Sequence, residues 1–325
     1  MKNFIKKSIF SLIFFIAVLT IVLFWTNAHI ELLKIDWFLF FIACFFFLFS
    51  VFVWLISWAF LIRKRASVSF SNLFIIGFSS LYGALTPIQL GAEALRSMKL
   101  KSFFKVPYEE SISSSMIVKG TKFIILAIFF VFILIFFVSK ADLDSTTFFA
   151  LLSGFFVIAI VILFFILPLN NKCGLIISSF LRFLSKDISL FAVIEKFFLA
   201  YSKNLKNLTM KTFFFVLIIS LFSYLFEFLA FQFSFFTVGI SLGFVPLLVL
   251  FTVISVLERT PFLPRGIGLV EFAALTFLSI PWFVNTTLSL PEIGAVLIVF
   301  DFVRLVIPTV FSLLIAAVFK IDIKE

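Results

Sequence analysis

One histidine and two cysteines occur in 325 residues. Nucleophile–base chemistry usually needs a His or Cys partner, and His29 stands alone in a short loop between apolar runs. Cys44 falls in an apolar run and Cys173 in a charged loop, so neither a disulfide framework nor a metal site is indicated. No HExxH, GxSxG or phosphate-binding glycine loop is present. No cofactor is expected, and any driving force is an ion gradient or none. Charge is scarce as well, at 13% of residues, where a soluble domain carries about 25%. Glycine and proline number only 11 and 9, so the places where they cluster carry meaning.

What fills the chain is apolar: 63% of residues are hydrophobic and 56 are phenylalanine. Runs long enough to cross a bilayer recur along the whole length. The fold class expected is all-α, a polytopic helical membrane protein. The first apolar run has no small-residue cleavage site after it and reads as a retained span. The net charge of +10 does not point to nucleic acid, because the basic residues sit in loops between spans. By the positive-inside rule, Lys2, Lys6 and Lys7 place the N-terminus in the cytoplasm, and KIDIKE places the C-terminus there too.

Six full spans are expected, at about 8–26, 37–62, 112–138, 148–169, 212–237 and 292–319. Segments 70–92 and 244–280 are expected to be re-entrant hairpins. The first is basic at both flanks, with Arg63, Lys64 and Arg65 before it and Arg96, Lys99, Lys101 and Lys105 after it. The alternative is eight plain spans. The layout reads as an inverted repeat, 1–138 and 148–319, within one domain over 1–325. The loop 170–211 is basic, with apolar residues at helical spacing, and suits anionic inner-leaflet headgroups.

The stretch ERTPFLPRGIGLVE, 258–271, breaks an apolar run. Pro261 and Pro264 cannot continue a helix, and Gly266 and Gly268 allow a tight turn. One half-helix is expected to end at VLERTP and another to start at GLVEFAAL. The amides at that second start form a ready anion site, flanked by Arg259 and Arg265, with Glu258 and Glu271 able to pair with the arginines. In LTPIQLGAEALR, Pro87 and Gly91 make the other break, and Glu93 and Arg96 share a helix face. Asp301 and Arg304 repeat that three-residue spacing inside the last span. They read either as a structural pair or as part of a site. Lys119 and Lys122 share a face near the start of span three, and either snorkel to the surface or meet a ligand. Glu227 lies at mid-span, as a proton-coupling carboxylate or a neutral buried one.

At these residues the chain resembles a flippase-like integral membrane family related to the transmembrane region of lysylphosphatidylglycerol synthetases. The first family block is matched by Pro87, Gly91, Glu93 and Arg96 of TPIQLGAEALR. The second is matched by Pro264, Gly266, Gly268 and Glu271 of PRGIGLVE, followed by Arg304 and Pro308 of DFVRLVIP. Ala92 and Arg265 stand where the family pattern has glycine. The resemblance implies lipid translocation between leaflets, with aminoacyl chemistry left to a separate soluble domain for which no room is expected after the last span.

The expected function is therefore a lipid transporter of the cell membrane, with a phosphate-bearing or aminoacylated headgroup in a polar cleft between the two breaks. Arg259, Arg265 and Arg304 would neutralise it there, with Arg96 and Lys119 near the inner face. Membrane lipids are the expected partners, and a homo-oligomer is compatible with the sequence. Two other classes stay open: an enzyme of lipid or polyprenyl-phosphate metabolism, and a non-catalytic membrane partner subunit. For an enzyme, Asp142 and Asp144 are the nearest thing to a metal-binding pair, and they read better as a solvated turn.

Overall fold

A computed structural model describes residues 2–85, 91–139, 208–258, 264–280 and 287–321, with a few isolated helical positions between 156 and 179. Span 148–169, loop 170–211, Cys173, Asp142 and Asp144, and three candidate site positions (Pro87, Arg259 and Pro261) lie outside the described residues. Among the described residues there are helices and turns and no strand.

The elements run α1 (Lys2–Trp25), α2 (His29–Leu32), α3 (Trp37–Arg63), α4 (Phe70–Phe78), a 3-10 turn (Leu81–Leu85), α5 (Gly91–Phe104) and α6 (Tyr108–Ser139). After the undescribed stretch come α7 (Met210–Thr237), α8 (Phe244–Leu257), a 3-10 turn (Pro264–Gly266), α9 (Leu269–Leu278) and α10 (Leu290–Asp301). A π-helical turn (Phe302–Val306) and α11 (Ile307–Val318) complete the order.

Among the described residues, four helical runs are long and apolar enough to cross a membrane: Trp37–Arg63, Tyr108–Ile133, Met210–Thr237 and Leu290–Val318. The first has 27 residues, about 40 Å at 1.5 Å per residue against a hydrocarbon core of about 30 Å. The shorter helices are different. α8 has 14 residues and α9 has 10, about 21 and 15 Å, and the two pack against each other. α4 has nine.

The surface confirms the medium. α7 presents Phe214, Ile218, Leu221, Phe222 and Leu225 outward at helical spacing, and buries Ser220, Ser223 and Ala230. That is the reverse of a soluble helix: the apolar stripe meets lipid, and small and hydroxylated residues make the close helix contacts. Ser223 Oγ donates to the Ser50 carbonyl at 3.0 Å, tying α7 to α3.

The chain divides into two compact units. The first comprises Met1–Phe52, Phe74–Arg96 and Phe222–Glu325. Here Phe40, Ala43, Cys44 and Phe47 of α3 pack with Ala230 of α7 and with Val299 and Val303 of the last span. α10 begins where SLPE supplies a capping box: Ser289 Oγ accepts from the Glu292 N–H at 3.4 Å, and the Glu292 carboxylate accepts from the Ser289 N–H at 2.7 Å. The second unit comprises Val53–Leu73 and Ser97–Leu221. Its α6 carries a buried polar face: Ser97 Oγ donates to Ser111 Oγ at 2.9 Å, and Thr121 meets Ser220 of α7 at 2.9 Å. Lys122 is buried and Lys119 half-buried in this unit.

Candidate functional site

The glycine- and proline-rich stretch 258–271 folds as its composition dictates. α8 stops at Leu257 and α9 starts at Leu269. Gly266 and Gly268 have φ of +66 and +92, where a side chain is strained. At Gly266 a Cβ would also stand 2.5 Å from the Leu257 carbonyl oxygen, so the chain can fold back here only as glycine. Arg265, between Pro264 and Gly266, adopts the same left-handed region with φ of 47°, at a cost of about 1 kcal/mol for a residue with a Cβ.

The last span is broken in its own way. Pro308 has no amide hydrogen, so the Arg304 carbonyl four residues earlier has no α-helical donor. The helix widens into the π turn 302–306 at this point, a distortion that recurs at functional sites. Nη1 of Arg265 donates to that released Arg304 carbonyl. In return Nη1 of Arg304 donates to the Arg265 carbonyl at 3.2 Å.

Arg304 is wholly buried and ringed by carboxylates. Nε donates to Asp301 Oδ1 at 2.7 Å, Nη1 to Glu258 Oε1 at 2.9 Å, and Nη2 to Glu271 Oε1 at 2.6 Å. Nη2 also lies 2.6 Å from Asp301 Oδ1. A guanidinium has five N–H donors; four of them donate in these hydrogen bonds, and Nη2 also faces Asp301 at ion-pair distance. Glu271 also holds the start of its own helix, where its Oε2 accepts from the Gly268 N–H. The start of α9, read in the sequence as an anion site, thus holds an anion of the chain itself. The guanidinium of Arg265 lies 5.9 Å from the Phe47 ring centroid.

Of the predicted site residues, Glu258, Arg265, Glu271, Asp301 and Arg304 therefore come together, with breaks Pro264, Gly266 and Gly268 framing them. Glu93 and Arg96 form a separate buried pair on α5, near break residue Gly91. Burial pulls the Arg96 guanidinium down to about 10 while Glu93 opposes the shift, so Arg96 stays charged at neutral pH. Gly83 marks how tight that break is: a Cβ there would meet the Gly91 carbonyl oxygen at 2.7 Å. Lys119 belongs to the second compact unit. Pro308 shapes the site although the sequence reading does not count it among the site's members. Its position four residues after Arg304 is the available signal, because that spacing names the carbonyl it releases.

Apolar outer faces, a helix interrupted by glycines and proline, and a buried ion cluster in the last span define a multi-pass helical membrane protein. A family model, the lysylphosphatidylglycerol synthase TM region, matches residues 8–312, and the chain belongs to that family. Among curated proteins and solved structures nothing matches it.

Proposed function

We propose that this protein moves a lipid between leaflets, and that the headgroup it takes at the Arg304 cluster carries a cation, as an aminoacylated lipid does. One observation carries the reading: three carboxylates surround one buried guanidinium, which already donates four hydrogen bonds to the chain's own acceptors. A clamp for phosphate needs arginine donors to spare. Here acceptors are in surplus, which favours an ammonium. The family's description, which names an aminoacylated lipid, supports the same choice.

The protein acts as a transporter with membrane lipids as its partners, and no bond is made or broken at the cluster. Both termini lie in the cytoplasm, supported by basic residues at Lys2, Lys6, Lys7, Arg63, Lys64 and Arg65. The loop 170–211 meets anionic headgroups there.

Reconstitution into vesicles tests this. Fluorescent lysyl-phosphatidylglycerol should cross faster than phosphatidylglycerol with the same label, and Glu271→Gln should remove the difference. Equal rates for both lipids, or rates no faster than in protein-free vesicles, would overturn the reading.

A further inference from the structure

Among the described residues, charge does not balance within the cluster. Its dry core holds Asp301, Glu271 and Arg304, whose side chains are 2%, 3% and 0% exposed. That is two carboxylates against one guanidinium. At the wetter edge Glu258 and Arg265, which both meet Arg304, carry one charge of each sign. A carboxylate kept from water without full compensation takes up a proton rather than stay charged.

The geometry points to where that proton sits. Asp301 Oδ1 and Glu271 Oε1 both lie 2.6 Å from the same nitrogen of Arg304, so the two carboxyls are near neighbours. Both oxygens of Glu271 receive a donor, one from Arg304 and one from Gly268. Asp301 Oδ1 receives Arg304, whereas its Oδ2 is buried with no hydrogen-bond partner. An ionised oxygen left so is the most expensive state in the site. Asp301 is the carboxyl that gains most from protonation.

We propose that the Asp301–Glu271 pair holds one proton when no headgroup is bound, and releases it to water as a cationic headgroup enters. Transport is then an exchange of a cation for a proton, with net charge at the site unchanged. This rests on the reading of a cationic lipid headgroup given above. Intramembrane carboxylates commonly serve such relays.

Among the described residues, the ionisable groups on the elements packed around the pair are few. Arg304 comes from the same span, and Glu258 and Arg265 reach the far side of its guanidinium. The helices packed on this span add the Cys44 thiol of α3 and, from α7, the half-buried Glu227 and the buried phenol of Tyr224. The 3-10 turn at 81–85 adds the phenol of Tyr82, and α2 adds His29 and Glu31 toward the opposite end of α10. Residues 8–25 of α1 and all of α11 contribute none.

Infrared spectroscopy of the purified full chain at neutral pH should show the carbonyl stretch of a protonated carboxyl. Asp301→Asn should remove it, and Glu31→Gln should leave it. Absence of the band in the wild type, or its persistence in both Asp301→Asn and Glu271→Gln, overturns the proposal. In vesicles carrying fluorescent lysyl-phosphatidylglycerol, an imposed pH gradient should change the wild-type rate severalfold and leave Asp301→Asn unmoved. A wild-type rate indifferent to the gradient overturns the exchange. If no lipid moves under any condition, the transport reading and the exchange both fall, while the infrared band still decides whether the proton is there.

Discussion

Arg265 and Arg304 each donate from the guanidinium to the main-chain carbonyl of the other. The exchange joins the break between α8 and α9 to the π turn of the last span, 39 residues later. It exists because Pro308 withholds an amide from the Arg304 carbonyl, which leaves that oxygen open to a side-chain donor from another element.

Replacing Pro308 by Ala returns that amide. The helix should regain a regular turn, and Arg265 should lose its acceptor. In the wild type Arg265→Ala is expected to cost about 1.5 to 3 kcal/mol, the worth of a charged hydrogen bond. In the Pro308→Ala background the cost should shrink toward zero. A double-mutant cycle on thermal unfolding in detergent reads the coupling; additive effects would mean the two residues act independently.

Arg304→Ala strands Asp301, Glu271 and Glu258 without their shared cation. Breaking a buried ion pair from one side typically costs about 3 to 5 kcal/mol, so the unfolding midpoint should drop sharply. Arg304→Lys should recover only part of this, because an ammonium cannot serve three carboxylates in a plane. A lysine variant as stable as the wild type would show that charge alone matters.

The two glycines of the break should differ. Gly266→Ala meets both a positive φ and the Leu257 carbonyl, and it is expected to impair folding severely. Gly268→Ala has open space around the new methyl and bears only the backbone cost, about 1 to 3 kcal/mol. Yields of folded protein by size-exclusion chromatography separate the two cases.

Glu93→Gln removes the carboxylate that opposes the downward pull of burial on Arg96. The Arg96 guanidinium should then fall further, and the buried charge should weigh more heavily on stability. Thermal unfolding of Glu93→Gln should shift down at neutral pH. Arg96→Met in the same background should recover part of the loss, whereas no recovery would place the cost in Glu93 itself.

The medium and the punctuation of this protein are legible in its residues alone. Long apolar runs admit only spanning helices, and Pro264, Gly266 and Gly268 mark where α8 gives way to α9, because their backbones cannot hold a helix there. The Asp301–Arg304 pair is legible too, since three residues on one helix always bring side chains to one face. The sign of the site is a different matter and belongs to the folded chain. Glu258 and Glu271 stand 46 and 33 residues from Arg304, beyond the reach of any local periodicity. Once the chain folds back on its glycines, both converge on one guanidinium, and what reads in the sequence as a set of arginines awaiting an anion becomes a guanidinium already ringed by the chain's own carboxylates.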